Sequence, residues 1–446
     1  MGETRAPALP GLGEAALVWA RIGLLSFGGP AGQIAMMHRE VVEQRGWLGE
    51  AGFLRALSFC ALLPGPEAQQ LAIYLGWLMH GPMGGVVAGS LFVLPGAAVL
   101  LALSVVFVTG GQIPAVAGLF FGLKCAVLAM VVQALLRVAG RALRTRASWA
   151  VGVTAFLALN LFAAPFPVVV LAAGVLGVAR PGWFTAAAHG GRHGGPGLIE
   201  RAVAADPGRV ARQAAGARRA GVAALALWLA PVAGLALWAP GRFAQIAWYF
   251  SKVAAVSFGG AYAALAYVAQ NAVHARHWLT APEMLTGLGL AETTPGPLVL
   301  VLQFVGFLAG YRAPGALTGM AGGFAAALLV LWVTFLPCFA FVFLGAPMIE
   351  ALAAQRRLAA GLAAITAAVV GVIGNLALWF GLHVVFAVTA TLRVGPMALD
   401  VPVVASLDAR AAVLAAVASV LLFGLRWGAL AVLALCAASG MALSLV

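Results

Sequence analysis

The chain has 446 residues, of which 63% are hydrophobic and only 9% charged, against roughly 25% charged in an ordinary globular protein. No soluble core hides that much apolar surface, so a soluble enzyme, a disordered chain and a secreted disulfide scaffold are excluded, leaving an integral membrane protein of many helices. The net charge of +13 sits mostly in short segments between apolar runs, as the positive-inside rule expects, so the basicity does not point to nucleic acid.

Apolar runs long enough to cross the ~30 Å hydrocarbon slab fall, in chain order, at 12–28, 54–79, 83–109, 113–136, 148–162, 165–179, 218–238, 243–259, 283–310, 315–345, 359–390, 410–424 and 427–444. The expected fold is therefore an all-α polytopic membrane protein of about thirteen transmembrane helices, within a range of 11–14. The first residues, MGETRAPALPG, show no basic region with a cleavage site, so the run behind them reads as a retained span. Residues 31–52 carry His38, Arg39, Glu40, Glu43, Arg45 and Glu50. Full crossing by such a segment is too costly, and it reads as an interfacial or re-entrant helix. The four cysteines, Cys60, Cys125, Cys338 and Cys436, lie in apolar stretches without any C-x-x-C pair and read as buried thiols.

Residues 180–217 form the one long polar stretch, with Arg180, Arg192, Arg201, Arg209 and Arg212, and read as a mobile basic linker. It divides the chain into a half at 11–179 and a half at 218–446 that has one extra helix. The linker and the cluster Arg137, Arg141, Arg144 and Arg146 are expected on the cytoplasmic side, which places the N-terminus inside as well.

The halves are related. Ser26-Phe27-Gly28-Gly29 recurs as Ser257-Phe258-Gly259-Gly260, and Pro64-Gly65-Pro66 as Pro295-Gly296-Pro297, both 231 residues on. Arg45-x-Trp47-Leu48 recurs in the same register as Arg276-x-Trp278-Leu279, and Arg21 falls opposite Lys252. Four landmarks in one register mark an internal repeat. Counting spans, with the extra helix between the copies, makes the repeats inverted, an arrangement many secondary transporters use.

Both repeated motifs are helix breakers within apolar runs. Pro66 reads as the first turn of a new helix, and Thr294 as an N-cap. A helix start aimed into a cavity offers free N–H groups and a positive dipole end, which suits an anion. The backbone around Ser26, Gly28, Gly29, Pro64, Gly65, Pro66, Ser257, Gly259, Gly260, Thr294, Pro295, Gly296 and Pro297 is therefore the expected substrate-binding region. Gln69 and Gln70 are candidate hydrogen-bond donors to an oxyanion. Only two lysines exist, Lys124 and Lys252. Both lie within apolar runs, where charge is expensive and points to function; with Arg21 they are candidate cations of the site. Glu67 and Glu292, beside the two Pro-Gly-Pro motifs, and His38 are candidate proton carriers. Trp47 and Trp278 read as interfacial anchors. No G-x-x-x-x-G-K-[ST] occurs, so ATP-driven pumping by this chain is not expected. No nucleophilic triad is legible either, so no enzyme activity, metal or cofactor is expected.

The stretch from Ser26 to His38, together with Leu62-Leu63-Pro64-Gly65-Pro66-Glu67-Ala68-Gln69-Gln70-Leu71-Ala72, closely resembles the signature of the chromate ion transporter family. The segment from Lys252 to Gln303 looks like that family's second homologous domain. The resemblance extends over nearly the whole chain apart from the linker, and implies the long two-domain form. It further implies export of chromate across the bacterial inner membrane, driven by the proton-motive force, with sulfate as a close structural competitor. Implied partners are the oxyanion, protons and the lipid bilayer, with a homodimer open to test. An anion channel or a transporter of sulfate or another oxyanion is the alternative; a membrane enzyme acting on a phosphorylated lipid has only His38-Arg39-Glu40 in its favour.

Overall fold

The computed structural model describes residues 9–27, 29–184, 195–206, 208–258, 261–314, 317–349, 355–395 and 397–445. Gly28, Arg192, Gly259 and Gly260 lie outside the described residues. The described chain is almost wholly helical. Its first half holds α1 (Leu12–Leu25), α2 (Gly29–His38), α3 (Glu50–Cys60), α4 (Glu67–Gly110), α5 (Pro114–Ala142), α6 (Arg146–Phe162) and α7 (Phe166–Ala179). Helices α8 (Leu198–Ala205) and α9 (Gly208–Trp238) follow. The second half holds α10 (Arg242–Val256), α11 (Ala261–Gln270), α12 (Ala281–Thr293), α13 (Val301–Tyr311), α14 (Gly319–Gly345), α15 (Arg356–Val385), α16 (Ala409–Ser419) and α17 (Ala429–Leu445). A ribbon of β1 (Thr389–Val394) and β2 (Met397–Pro402), antiparallel with Leu392 opposite Leu399, joins α15 to α16.

Five of these helices are long and apolar enough to span a bilayer, namely α4, α5, α9, α14 and α15, and α6, α7, α16 and α17 are shorter apolar helices. Large apolar side chains stand exposed along them, among them Leu94, Leu171, Val175, Leu227 and Leu328. In water such a surface would aggregate; in lipid it is the expected exterior. The protein is a polytopic helical membrane protein. All four cysteines are free and buried.

Local element order follows the sequence repeat. α1, α2 and α3 are matched about 231 residues later by α10, α11 and α12. α2 and α11 each run on into a π-helical turn, Arg39–Gln44 and Asn271–Ala275. In the first half the helix after Pro-Gly-Pro bends at His80 (φ −132°) and Gly81 (φ +64°). Pro82 follows, which cannot donate to the turn before it. In the second half the matching helix simply stops at Tyr311, and α14 starts at Gly319.

The runs 54–79 and 283–310 are not single spans. Each is a hairpin bent at Pro-Gly-Pro, as hydrogen bonds at both ends show. In the first half, Gly46 accepts from the Leu198 N–H (2.9 Å), Gly49 N–H donates to the Glu200 carboxylate (3.1 Å), and Met79 C=O accepts from Arg209 Nη2 (2.6 Å). The end of α2, the start of α3 and the bend of α4 thus meet α8 and α9. The start of α1 joins them, since Pro10 C=O accepts from His80 Nε2 (2.7 Å). The bends at Ser26 and Gly65 lie at the other end. In the second half, Arg312 plays the part of the α8–α9 segment. It donates to Trp278 C=O (3.2 Å) and, through both terminal nitrogens, to Glu283 (2.5 and 3.0 Å), joining the ends of α11 and α13 to the start of α12. Apolar length alone cannot distinguish a span from such a hairpin, which is why the sequence reads them as spans. Arg312→Ala is expected to lower thermal stability in detergent by about 1–2 kcal/mol, because it strips a mostly buried carboxylate of its bidentate partner. Arg312→Lys should recover only part of this, since an ammonium cannot reproduce the fork. Unchanged melting of Arg312→Ala would show the clasp to be energetically idle.

The linker also differs from expectation. It holds α8 and the start of α9, and α8 is tied to the α2–α3 turn rather than free, because Glu200 accepts the Gly49 and Gly197 N–H groups. Trp47 and Trp278 are buried at 4% and 2% exposure, so they are not interfacial anchors. Each instead packs under the guanidinium beside it, Arg45 at 5.6 Å and Arg276 at 5.0 Å from the ring centre.

The halves are interleaved. α5 of the first half packs on α16 and α17 of the second, while α15 of the second packs on α6 and α7 of the first. Asn160 and Asn375 hydrogen-bond across the latter contact at 3.1 Å. One continuous apolar core runs through both halves.

Candidate functional site

The two sets of broken helices cross in the middle of the molecule. Gly65 N–H donates to Ser257 C=O (2.9 Å), and Gly296 N–H donates to Ser26 C=O (2.9 Å). Each Pro-Gly-Pro tip of one half therefore rests on the Ser-Phe-Gly-Gly break of the other. Gly65 has φ +122° and Gly296 φ +89°, a region that L side chains rarely adopt. A Cβ on Gly65 would lie 2.9 Å from Cys338 Sγ of α14. The second tip packs as closely on α4: a Cβ on Gly96 would fall 1.9 Å from Pro295 C=O.

Glutamines brace the crossing. Gln70 Nε2 donates to Pro64 C=O (2.7 Å), Gln33 Nε2 to Gly296 C=O (2.5 Å), and Gln303 Nε2 to Ala97 C=O (3.1 Å). Carbonyls freed by the broken helices are thereby satisfied. Gln70 is thus a brace of the first tip through its Nε2. Gln69 is different: both polar atoms of its side chain are buried without a protein partner, as are Ser26 Oγ and the Oε1 atoms of Gln70 and Gln303. So many unpaired buried polar atoms in one place mark a region built for water or a polar ligand.

Of the residues singled out from sequence, Ser26, Gly29, Pro64, Gly65, Pro66, Gln69, Gln70, Ser257, Pro295, Gly296 and Pro297 belong to this crossing or flank it. Thr294 does too, but not as an N-cap. It closes α12, and its hydroxyl donates back to Leu290 C=O (2.6 Å), so the helix that follows starts after Pro297 instead. The expected cations are elsewhere. Lys252 stands exposed on α10 with its ammonium 5.6 Å over the Trp248 ring. Arg21 is exposed on α1, its Nε 3.8 Å from Glu40. Lys124 lines a separate cavity of about 460 Å³ with Glu283, Asp408 and Arg410, and packs on Phe121. His38 is held by Glu50 (2.6 Å) and Glu43 (3.2 Å) near the α2–α3 turn, away from the tips. A helical repeat fixes where a basic residue lies along the axis but not which way its face turns, and here those faces point away from the crossing.

Glu67 opens α4 directly behind the first tip, and Arg141 of α5 lies within electrostatic reach of it. Glu292, just before the second tip, is buried and accepts a hydrogen bond from Tyr262 (2.9 Å). It lines a cavity of about 220 Å³ with Gln133 and Arg137 of α5, Tyr262 of α11, and Leu422 and Trp427 before α17. Sequence reasoning missed Gln33, Gln303, Tyr262 and Arg137. Arg137 reads in sequence as one of a cytoplasmic basic cluster, and only the structure shows it inside α5 facing a buried carboxylate. Among the described residues no group of three His, Cys, Asp or Glu side chains is placed to hold a metal.

A many-helix membrane protein whose halves thrust broken helices into a shared polar centre has the build of a transporter. The chain belongs to the chromate transporter family, whose model matches residues 13–178 and 244–441. It is 32% identical over 358 residues to the chromate transport protein of Pseudomonas aeruginosa, covering 79% of this chain and 77% of the relative. It is 28% identical to the chromate transport protein of Cupriavidus metallidurans, covering 81% and 80%. A probable chromate transport protein of Synechococcus elongatus is 25% identical over 80% of this chain and 81% of that one. No solved structure matches it.

Proposed function

We propose that this protein exports chromate, a tetrahedral dianion, from the bacterial cytoplasm across the inner membrane, with sulfate as a competitor. The observation that carries the reading is the crossing itself, where two pairs of helix breaks meet and the Gln69 amide and Ser26 Oγ stand buried without a protein partner. Helix starts and N–H groups suit an oxyanion without requiring a resident cation.

The membrane topology we assign has nine crossings, α4 beyond its bend, α5, α6, α7, α9, α14, α15, α16 and α17. Four hairpins then reach the middle, two from each side. The N-terminus and the α8–α9 segment lie in the cytoplasm, and the halves are inverted relative to each other. The basic residues Arg201, Arg209 and Arg212 beside the first pair of hairpins favour this orientation. Alternating access then arises from one half tilting against the other about the crossed tips.

The proton-motive force supplies the drive. Its electrical part acts directly on the substrate: a dianion leaving a negative interior gains about 4.6 kcal/mol per 100 mV, at about 2.3 kcal/mol per charge. Its chemical part acts through Glu67, whose carboxylate would carry a proton inward as the anion leaves. The test is uptake of radiolabelled chromate into inside-out vesicles with the potential and the pH gradient imposed separately. Accumulation above equilibrium that needs either gradient, and that excess sulfate suppresses, is expected. Flux that only equilibrates chromate under every condition would select a channel; absence of chromate flux would overturn the substrate.

A further inference from the structure

Glu292 and Tyr262 have no counterparts in the first half. The residues 231 positions earlier are Ala61 and Ala31. The repeat has therefore placed a buried carboxylate and its hydroxyl donor on one side of the crossing only. They form the floor of the 220 Å³ cavity. At its mouth Arg137 is exposed, with Nη2 donating to Gln133 Oε1 (3.1 Å). The other lining residues, Met130, Ala134, Leu422, Trp427 and Ala429, carry no charge. Among the described residues, the charged or titratable groups that face Glu292 are thus Tyr262 from α11 and Arg137 from α5.

Resting on the export reading above, we infer that this cavity is the loading site for the oxyanion, with Arg137 as its binding cation and Glu292 as the group whose proton must be present when it fills. The volume suits one tetrahedral oxyanion with a little water. Arg137 and the amide of Gln133 supply directional donors of the kind that oxyanions take. The carboxylate behind them is the deciding feature. Ionised, it repels a dianion across a small, poorly solvated space; protonated, it does not. Loading and protonation of Glu292 are therefore linked, and each raises the affinity for the other. Tyr262 is a positioning residue: its hydroxyl fixes the carboxyl group and is not itself a ligand. The site sits one turn before the second tip, so an anion released from it passes directly to the crossing, and the Glu292 proton returns to the side from which the site filled, so loading carries no net proton with the anion.

The linkage has a definite sign. Tightening with protonation means that KM for chromate rises as pH rises through the titration of Glu292. Glu292→Gln locks the neutral form, so its KM should stay low where the wild type's climbs. Arg137→Gln should raise KM by about tenfold or more, with kcat far less affected, and Arg137→Lys should restore part of the loss. Tyr262→Phe should shift the midpoint of the pH profile while leaving a profile in place. Initial rates in vesicles containing each variant, with wild type and variant compared at every pH so that the substrate's own protonation cancels, read all four. Wild-type KM in Arg137→Gln, or a wild-type pH profile in Glu292→Gln, would overturn the loading site while leaving chromate export intact. Absence of flux in the wild type would instead fail the export reading on which the site rests.

Discussion

Gly65→Leu is expected to cut chromate efflux by more than about tenfold while the protein still reaches the membrane. Two effects act at one point. At φ +122° a side chain carries strain on the order of 1–3 kcal/mol. Its Cβ would also meet Cys338 Sγ at 2.9 Å, in a spot where the Gly65 N–H must hold Ser257 C=O. The tip can relieve both only by withdrawing from the opposite half. A displacement worth more than about 2 kcal/mol at the step that passes the anion already exceeds a tenfold loss. Gly296→Leu should behave alike, since it is the same tip in the other half. Efflux assays on cells with matched protein levels decide the matter. Wild-type efflux by well-inserted Gly65→Leu would mean that the crossing only shapes packing.

Arg45→Met is expected to destabilise the protein by about 2–4 kcal/mol, a loss of the size found when one partner of a buried ion pair is removed. Glu40 has no exposed side-chain surface and hydrogen-bonds to Arg45 Nη1. The other cation beside it is Arg21, at 3.8 Å and more than half exposed, which compensates weakly. The equivalent of Glu40 in the second half is Asn271, whose Nδ2 donates to Tyr267 C=O (3.0 Å), and there Arg276 stacks on Tyr249 and Trp278. One half thus uses a buried charge where the other uses a neutral amide. The double variant Glu40→Gln with Arg45→Met should regain most of the lost stability, because it removes the uncompensated charge. Thermal melts in detergent measure this; equal melting of wild type and Arg45→Met would show that Arg21 alone suffices.

Hydropathy and the 231-residue repeat were enough to reveal a many-helix membrane protein in two related parts, because apolar length and helix-breaking residues are local properties. The Pro-Gly-Pro and Ser-Phe-Gly-Gly breaks were legible for the same reason. Their exchange of partners was not. Gly65 and Ser257 meet only through the packing of whole halves, and nothing in either motif encodes its mate. Hairpins such as α3 with the start of α4 were hidden because an apolar run looks the same whether it crosses the bilayer or turns back inside it. The surroundings of the cations were not legible for a different reason. Scarcity drew attention to Lys124 and Lys252, whereas Arg137, one basic residue among several near a helix end, faces the buried Glu292.

The partner exchange at the tips also bears on how the protein is made. Gly65 leaves the ribosome 192 residues before Ser257, a delay of roughly 10–40 s at ordinary synthesis rates. Throughout that interval the Gly65 N–H lacks the partner it has in the finished protein, and Ser26 C=O waits still longer for Gly296. Such a tip is unstable in hydrocarbon. The newborn first half must therefore remain sheltered by the insertion machinery, or stay hydrated, until its sibling arrives. A chain stopped after α9 would lack the partners that Gly65 N–H and Ser26 C=O have in the full protein.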